Sequence, residues 1–193
     1  MTKKILIIDG HPDPAEHLCH ALAAAYAEGA KAGGHETRHI KVAMLDFPML
    51  QSMEDYYKGE PCPSIHAAQA DITWADHMVI IFPLWLGGLP ALFKGFLEQT
   101  LRPGFAYEEK QGGWPGKKLK DKSARIVVTM GMPALAYRWF FCAHSLKNLK
   151  RNILKFCGFS PVKDTLFGMV EAASDDKRKG WIEKMRKMGR GGE

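Results

Sequence analysis

Residues 83–89 (PLWLGGL) carry the groups in this chain best suited to hold a flat, hydrogen-bonding ring. The two glycines have no Cβ, so a ligand can approach the backbone N–H groups, and Trp85 offers a flat apolar wall. The ordinary alternative is that Trp85 only fills the core beside a strand end. Two further segments of similar composition, 9–14 (DGHPDP) and 130–137 (MGMPALAY), also follow predicted strands.

The segment 9–14 leads into a predicted helix, and the first N–H groups of a helix form a natural phosphate site. His11 can add a donor or a positive charge there, and His17 can add a second. The alternative is that His11 packs the turn and bonds its own backbone. The residues therefore predict a phosphate contact near His11 and leave the structural alternative open.

The sequence lacks several catalytic signatures. It has neither a GxGxxG turn nor a GxxxxGK[ST] loop, which argues against a Rossmann dehydrogenase and a P-loop nucleotide hydrolase. It also lacks the GxSxG elbow of serine hydrolases and the HExxH pair of metal hydrolases. The four cysteines show no CxxC pair and no metal spacing, so no metal site is predicted.

Strand and helix patterns alternate along the chain. Three predicted strands are continuous apolar runs, as expected for parallel strands buried on both faces, and the second is mixed, as expected at an edge. The predicted strands are 3–8, 36–42, 77–82, 124–129 and 162–169, the predicted helices are 17–32, 64–74, 90–101, 143–157 and 174–188, and the predicted long loops are 43–63 and 102–122. This alternation predicts a doubly wound α/β sandwich, whose ligands bind beyond the carboxyl ends of the strands.

Length and composition predict one globular domain over residues 1–193. No apolar run reaches the roughly 20 residues of a membrane span, and the first apolar stretch is too short for a secretion signal. With no sign of a disulfide framework, this predicts a cytoplasmic protein. The net charge of +6 is typical of a solvated surface and also suits attraction of an anionic nucleotide cofactor. No nucleic-acid motif accompanies it, so nucleic-acid binding is not predicted.

Much of the sequence resembles one known family. The segments that carry the resemblance are ILIIDGHPDP at 5–14, LDFPML at 45–50, WADHMVIIFPLWLGGLPALFKGFLEQTLRPGFAY at 74–107, the stretch from Gly131 to Tyr137, and FCGF at 156–159. They are similar to the flavodoxin-fold NAD(P)H:quinone oxidoreductases, a group that includes mammalian quinone reductases and bacterial proteins associated with glutathione-gated potassium efflux. The resemblance implies a flavodoxin-like three-layer α/β sandwich, with a five-stranded parallel sheet of order 2-1-3-4-5 and helices on both faces.

The resemblance also implies a bound flavin, FMN or FAD, with NAD(P)H as hydride donor, a quinone-like acceptor, ping-pong kinetics and a homodimer. The implied catalytic residues are Tyr137, as a hydrogen-bond donor to the quinone oxygen, and His144. The implied cofactor contacts are His11, His17, Leu18, Cys19, Pro83, Leu84, Trp85, Leu86, Gly87, Thr129, Met130, Gly131 and Met132.

The sequence departs from the family pattern in three places. His17 and Cys19 occupy positions where the family usually has Ser and Asn as phosphate ligands. Leu86 and Gly87 replace aromatic residues of the turn after the third strand, which changes the substrate wall. His144 lies one residue from the expected position of the family's active-site histidine.

Three other functions are compatible with the same pattern. A flavodoxin-like electron carrier is disfavoured by the charge of +6, because such carriers are typically acidic. A flavin-binding ancillary subunit of a membrane transporter could dock through the basic stretches 117–122 and 177–190. A flavin-free interaction domain is the third. The enzyme is the favoured interpretation. NAD(P)H oxidation without a partner reductase would separate it from the electron carrier, and co-purification with a transporter, or lack of turnover, would favour the ancillary subunit.

Overall fold

The structure, a computed structural model, describes residues 2–110 and 112–193. Its centre is a five-stranded parallel sheet with the order β2-β1-β3-β4-β5, which confirms the predicted fold class and strand order. Met1 and Gln111, which belong to the predicted domain and the predicted loop 102–122, lie outside the described residues. The strands are β1 Lys4–Asp9, β2 Glu36–Lys41, β3 His77–Pro83, β4 Ser123–Met130 and β5 Val162–Gly168.

The burial of each strand follows its place in the sheet. β3 is central and all seven of its residues are buried. It pairs with β1 on one side, with Val79 opposite Ile7, and with β4 on the other, with Phe82 opposite Val128. β2 lies at an edge and buries only Ile40, which explains its mixed sequence.

Helices cover both faces of the sheet. One apolar layer packs under α1 and α8, and the other packs under α3, α4 and the helical stretch after β4. None of the described helices is both long and apolar enough to cross a bilayer. The α-helices are α1 Leu18–Ala32, α2 Met53–Lys58, α3 Pro63–Trp74, α4 Ala91–Thr100, α5 Ala134–Trp139, α6 His144–Lys147, α7 Lys155–Cys157 and α8 Asp175–Gly191.

Two glycines let α1 and α8 approach closely. A Cβ added to Gly29 would lie 1.9 Å from the carbonyl oxygen of Arg186, and one added to Gly189 would lie 2.0 Å from that of Tyr26. Both obstacles are backbone atoms, so a side chain at either position would push the two helices apart.

Three regions differ from the sequence-based predictions. The predicted helix 143–157 is π-helical over Asn148–Leu154, between α6 and α7. The sequence did not predict this, because apolar periodicity does not reveal an inserted π turn. The predicted loop 102–122 contains a short antiparallel ribbon that pairs Tyr107–Glu108 with Gly116–Lys117. The loop after β4 contains α5, which is too short to show a helical period.

The predicted loop 43–63 starts within a 3-10 turn, Val42–Met44, and contains the short helix α2. One buried arginine binds this loop to the rest of the fold. Arg102 is 4 % exposed and its Nη1 donates to the carbonyl oxygens of Asp55, at 2.9 Å, and Gly59, at 2.6 Å. Its Nη2 also bonds the side chain of Gln99 on α4. The loop is therefore held against α4 by charge-assisted hydrogen bonds.

Candidate functional site

The loops after β1, β3 and β4 meet at the carboxyl edge of the sheet. The N–H of Gly10 donates to the carbonyl oxygen of Ile81 at 2.8 Å, and the N–H of Leu84 donates to that of Thr129 at 2.8 Å. Backbone hydrogen bonds thus join the first loop to β3, and the loop after β3 to β4. The sheet places these segments together where parallel α/β folds bind their ligands.

Three histidine rings cluster on the first loop and the start of α1. His11 is 6 % exposed, and its ring stacks on that of His17 with centroids 3.9 Å apart and planes 20° apart. The ring of His20 lies edge-on to His11 at 5.3 Å. Trp85, from the loop after β3, meets the ring of His11 edge-to-face at 5.9 Å. The histidine cluster, His11, His17 and His20, therefore borders the turn predicted to hold a flat ring.

Two carboxylates hold this cluster in place. Asp9 is 3 % exposed; its Oδ1 accepts the N–H of His11 at 3.1 Å and its Oδ2 contacts Nδ1 of His20. Oδ2 of Asp13 lies 2.8 Å from Nε2 of His17. Neither Asp9 nor His20 was predicted from the sequence as a site residue. The signal for His20 was its spacing of three residues from His17, which puts both on one helix face.

The electrostatics of the cluster follow from burial and from neighbouring charge. Burial lowers the pKa of His11, and the adjacent His17 lowers it further. The pKa of Asp13 is lowered by the N–H of Ala15 and then by His17. At neutral pH His11 is therefore an uncharged ring beside a carboxylate-bound histidine, able to donate a hydrogen bond from one nitrogen.

The first turn of α1 presents donors that the helix cannot use. His17 is the N-cap residue and its side chain makes no capping hydrogen bond. The N–H groups of Leu18 and Cys19 have no acceptor within the helix, because the first four N–H groups of any helix lack one. The Cys19 thiol is buried and lies 3.3 Å from Oγ1 of Thr129, and burial raises its pKa to about 12. Only the backbone of Cys19 is therefore available to an anion.

The turn after β3 is tight and partly open to solvent. Trp85 and Gly88 exchange two backbone hydrogen bonds, of 3.1 and 2.8 Å, around Leu86 and Gly87. Leu86 has φ 46° and Gly87 has φ 74°, so both bridging residues are left-handed. Trp85 is 49 % exposed and Leu86 is fully exposed, whereas Pro83 is buried in the end of β3. The indole therefore borders an accessible surface.

The loop after β4 is fixed by the chain that follows β5. The N–H of Met169 donates to the carbonyl oxygen of Met132 at 3.1 Å, and that of Val170 donates to Met130 at 3.2 Å. Thr129 and Met130 are buried, and Gly131 is exposed. The backbone of Gly131 is thus accessible, unlike the two residues that precede it.

Tyr137 and His144 occupy different surroundings. Tyr137 is 2 % exposed, and its hydroxyl oxygen accepts the N–H of Leu146 at 3.1 Å. The proton of this hydroxyl has no acceptor among the described residues. His144 is exposed and lines a surface cleft of about 510 Å³ together with Lys147 and Arg151. The described contacts do not join the two side chains, and their catalytic roles stay predictions.

A second cavity, of about 570 Å³, lies away from the three loops. Its walls come from the segment 50–56, from α4 and from residues 152–157, and a 2.9 Å contact between the hydroxyls of Tyr56 and Tyr107 borders it. The described residues contain no group of three or more His, Cys, Asp or Glu placed to hold a metal ion.

Comparison with known proteins agrees with this architecture. The chain is 29 % identical over 182 residues to an uncharacterized NAD(P)H oxidoreductase of Haemophilus influenzae, covering 92 % of this chain and 90 % of the relative. The crystal structure of Smu.1420 from Streptococcus mutans matches with a TM-score of 0.80 and 31 % identity, over 97 % of this chain and 99 % of that one. The NAD(P)H:quinone oxidoreductase of Methanothermobacter marburgensis matches with a TM-score of 0.85 and 22 % identity, over all of both chains.

The fold and the loop geometry define a flavodoxin-like protein. The Flavodoxin_2 family model, described as a flavodoxin-like fold, matches residues 3–188, and the chain belongs to this family. The family predicted from the sequence segments is thereby confirmed, and the relatives of the chain include proteins named NAD(P)H oxidoreductases.

Proposed function

We propose that this protein is a flavin-dependent oxidoreductase that transfers hydride from NAD(P)H to a quinone or a similar small electrophile. One observation carries the proposal. The open first turn of α1, the half-exposed Trp85 and the exposed backbone of Gly131 lie on three loops at one edge of the sheet. The relatives named as NAD(P)H oxidoreductases support the same reaction class.

The phosphate end of a flavin fits the first loop. The N–H groups of Leu18 and Cys19 and the positive end of the helix dipole favour an anion. The histidine cluster can add ring donors, which would replace the Ser and Asn ligands usual in the family. Protonation of His11 would add positive charge at this place and is expected to tighten the binding of phosphate.

The ring end of a flavin fits between the other two loops. Residues 83–87 would border it, with the indole of Trp85 as the flat wall, and the N–H of Gly131 would face the N1–C2=O edge and favour negative charge there. Bound flavin, FMN or FAD, supplies hydride chemistry that serves the donor and the acceptor in turn, which gives ping-pong kinetics.

Tyr137 has the groups needed to assist the acceptor. Its hydroxyl uses a lone pair to accept from Leu146, so its proton stays available for donation to a quinone oxygen. Burial raises the pKa of Tyr137, which keeps the hydroxyl protonated at neutral pH. His144 would assist only if the segment that carries it turned toward the crevice.

The assembly and location belong to the same proposal. A homodimer is expected, with the 570 Å³ cavity beside α4 as a surface for the partner, because it is lined largely by apolar side chains such as Leu97 and Phe156. The four free cysteines suit a reducing compartment, which supports a cytoplasmic location.

The decisive experiment is an absorbance spectrum of the purified protein, followed by identification of the released flavin and by NADH and NADPH oxidation assays with a quinone. We expect a yellow protein with parallel-line kinetics. Light scattering checks the dimer. A colourless protein that gains no flavin on reconstitution and oxidises neither nucleotide would overturn the proposal.

A further inference from the structure

Four apolar side chains of the segment after β4 are half or more exposed to solvent. Leu135, Trp139, Phe140 and Phe141, here called the aromatic tip, are 71, 76, 81 and 50 % exposed. Leu135 and Trp139 are four residues apart on α5 and share its outer face. Single exposed apolar residues are ordinary, but three consecutive exposed aromatic residues, with the ring centroids of Phe140 and Phe141 5.0 Å apart, indicate a contact surface.

The aromatic tip is held outward by the buried residue beneath it. The carbonyl oxygen of Tyr137 accepts the N–H of Ala143 at 3.0 Å, and its hydroxyl accepts that of Leu146 at 3.1 Å. The chain reverses direction at Cys142 and Ala143, which have φ of 52° and 47°. Tyr137 thus fastens the chain on the far side of this reversal, so the tip cannot fold inward without breaking buried hydrogen bonds.

The chain around the aromatic tip carries charge of one sign. Residues 131–163 contain six Lys and Arg side chains and no Asp or Glu. Arg138 and Lys150 both pair with the single carboxylate of Asp164. The other exposed cations of the helical stretch, Lys147, Arg151 and Lys155, follow at intervals of four residues and form no ion pair with a described residue. We call these three the basic flank.

We propose that the aromatic tip and the basic flank bind the surface of an anionic phospholipid membrane. Aromatic rings favour the boundary between headgroups and acyl chains, and cations beside them favour lipid phosphates. A second copy of the chain fits less well, because a two-fold contact centred on the tip would bring two basic flanks together. The inference goes beyond the proposed reaction and does not depend on it. Binding through the aromatic tip would bring the carboxyl edge of the sheet close to the membrane, where lipophilic acceptors dissolve.

The test is co-sedimentation of the purified protein with phosphatidylcholine vesicles prepared with and without phosphatidylglycerol. One variant removes the tip, with Trp139→Ser, Phe140→Ser and Phe141→Ser together, and its control is Trp114→Ser, at a tryptophan 90 % exposed in another loop. A second variant reverses the flank, with Lys147→Glu and Arg151→Glu. Its control, Lys179→Glu with Lys187→Glu, makes the same change of charge on α8.

We expect binding to the anionic vesicles only. Partitioning should fall about tenfold or more in the tip variant, and about fivefold for each cation lost from the flank. Both controls should bind within about twofold of the original protein, and added salt should release it. Thermal melting checks that each variant is folded, and all the changes lie on exposed side chains.

Other results would overturn the proposal. The proposal fails if the original protein does not bind anionic vesicles, or if the tip or flank variant binds them as well as the original protein. It also fails if the controls lose as much binding as the variants. Conversion of a dimer to a monomer by the tip variant, with no vesicle binding by the original protein, would assign the tip to an interface between copies. Sedimentation that requires an added membrane protein would assign it to a protein partner. Flavin content and turnover are separate measurements, so failure here leaves the proposed reaction standing.

Discussion

Replacement of Tyr137 by phenylalanine removes a hydroxyl that has two roles, one structural, as acceptor for Leu146, and one proposed, as donor to the quinone. The aromatic ring stays in place, so the change is confined to one oxygen atom and its proton. That oxygen accepts the buried N–H of Leu146 at 3.1 Å. In the variant this donor has no acceptor in an apolar environment.

The expected loss of stability follows from that orphaned donor. A buried N–H without a partner costs about 1–3 kcal/mol. In a protein of this size each kcal/mol lowers Tm by about 2–4 °C. The loss should be local, because Leu146 lies in α6 and the sheet is untouched.

The same substitution tests the proposed donor. If the proton of Tyr137 reaches a quinone oxygen, turnover should fall about three- to tenfold, the value of one hydrogen bond. Flavin content should not change, because the cofactor contacts are assigned to other residues. The control is Tyr57→Phe, at a tyrosine 48 % exposed on α2, where a surface change is worth within about 0.5 kcal/mol.

Three measurements decide the outcome: calorimetric Tm, the ratio of flavin to protein absorbance, and steady-state kcat with a quinone. A Tm equal to that of Tyr57→Phe would refute the anchoring role. An unchanged kcat would remove the hydroxyl from the reaction and leave it a structural role alone. Loss of flavin would show that the residue acts on the cofactor, contrary to the argument above.

Three further predictions concern the body of the fold. Burial holds the pKa of His77 at about 4, below the unfolded value of about 6.5. The unfolding free energy should therefore decrease by roughly 3 kcal/mol as pH falls from about 6.5 to about 4. Urea titrations at several pH values measure this dependence, which should be weaker in His77→Phe. Gly29→Ala should destabilise by about 1–3 kcal/mol or more, whereas Gly180→Ala, which meets no atom within 4 Å, should stabilise by about 0.5–1 kcal/mol; paired thermal melts compare them. Arg102→Leu should destabilise the fold by about 2–4 kcal/mol and raise hydrogen exchange in α2, because Arg102 bonds the carbonyl oxygens of Asp55 and Gly59. Unchanged exchange in α2 would contradict this anchoring role.

The strands were predictable because burial leaves a direct trace in sequence. β3 is buried on both faces, so its residues form an unbroken apolar run, and β2 shows mixed character because it lies at an edge. Each predicted strand agrees with the observed one within one residue at either end. The meeting of the three loops also followed, because parallel strands end at the same edge.

The short elements were not predictable by the same argument. α5 has only six residues, and two of its large apolar side chains, Leu135 and Trp139, face solvent while Tyr137 faces the core, contrary to what periodicity assumes. The π-helical turn at Asn148–Leu154 changes the local period without changing composition. The ribbon between Tyr107 and Lys117 is too short to show alternation.

For this protein, apolar runs and the turns between them determined the order of the elements and the edge of the sheet at which a ligand site is proposed, because these depend on local burial and chain direction. Tertiary structure decided which side chains meet there. Asp9 and His20 are eleven residues apart, and Cys19 and Thr129 are 110 residues apart, yet each pair is in contact. Such contacts depend on packing between distant segments, and a pattern along the chain does not record them.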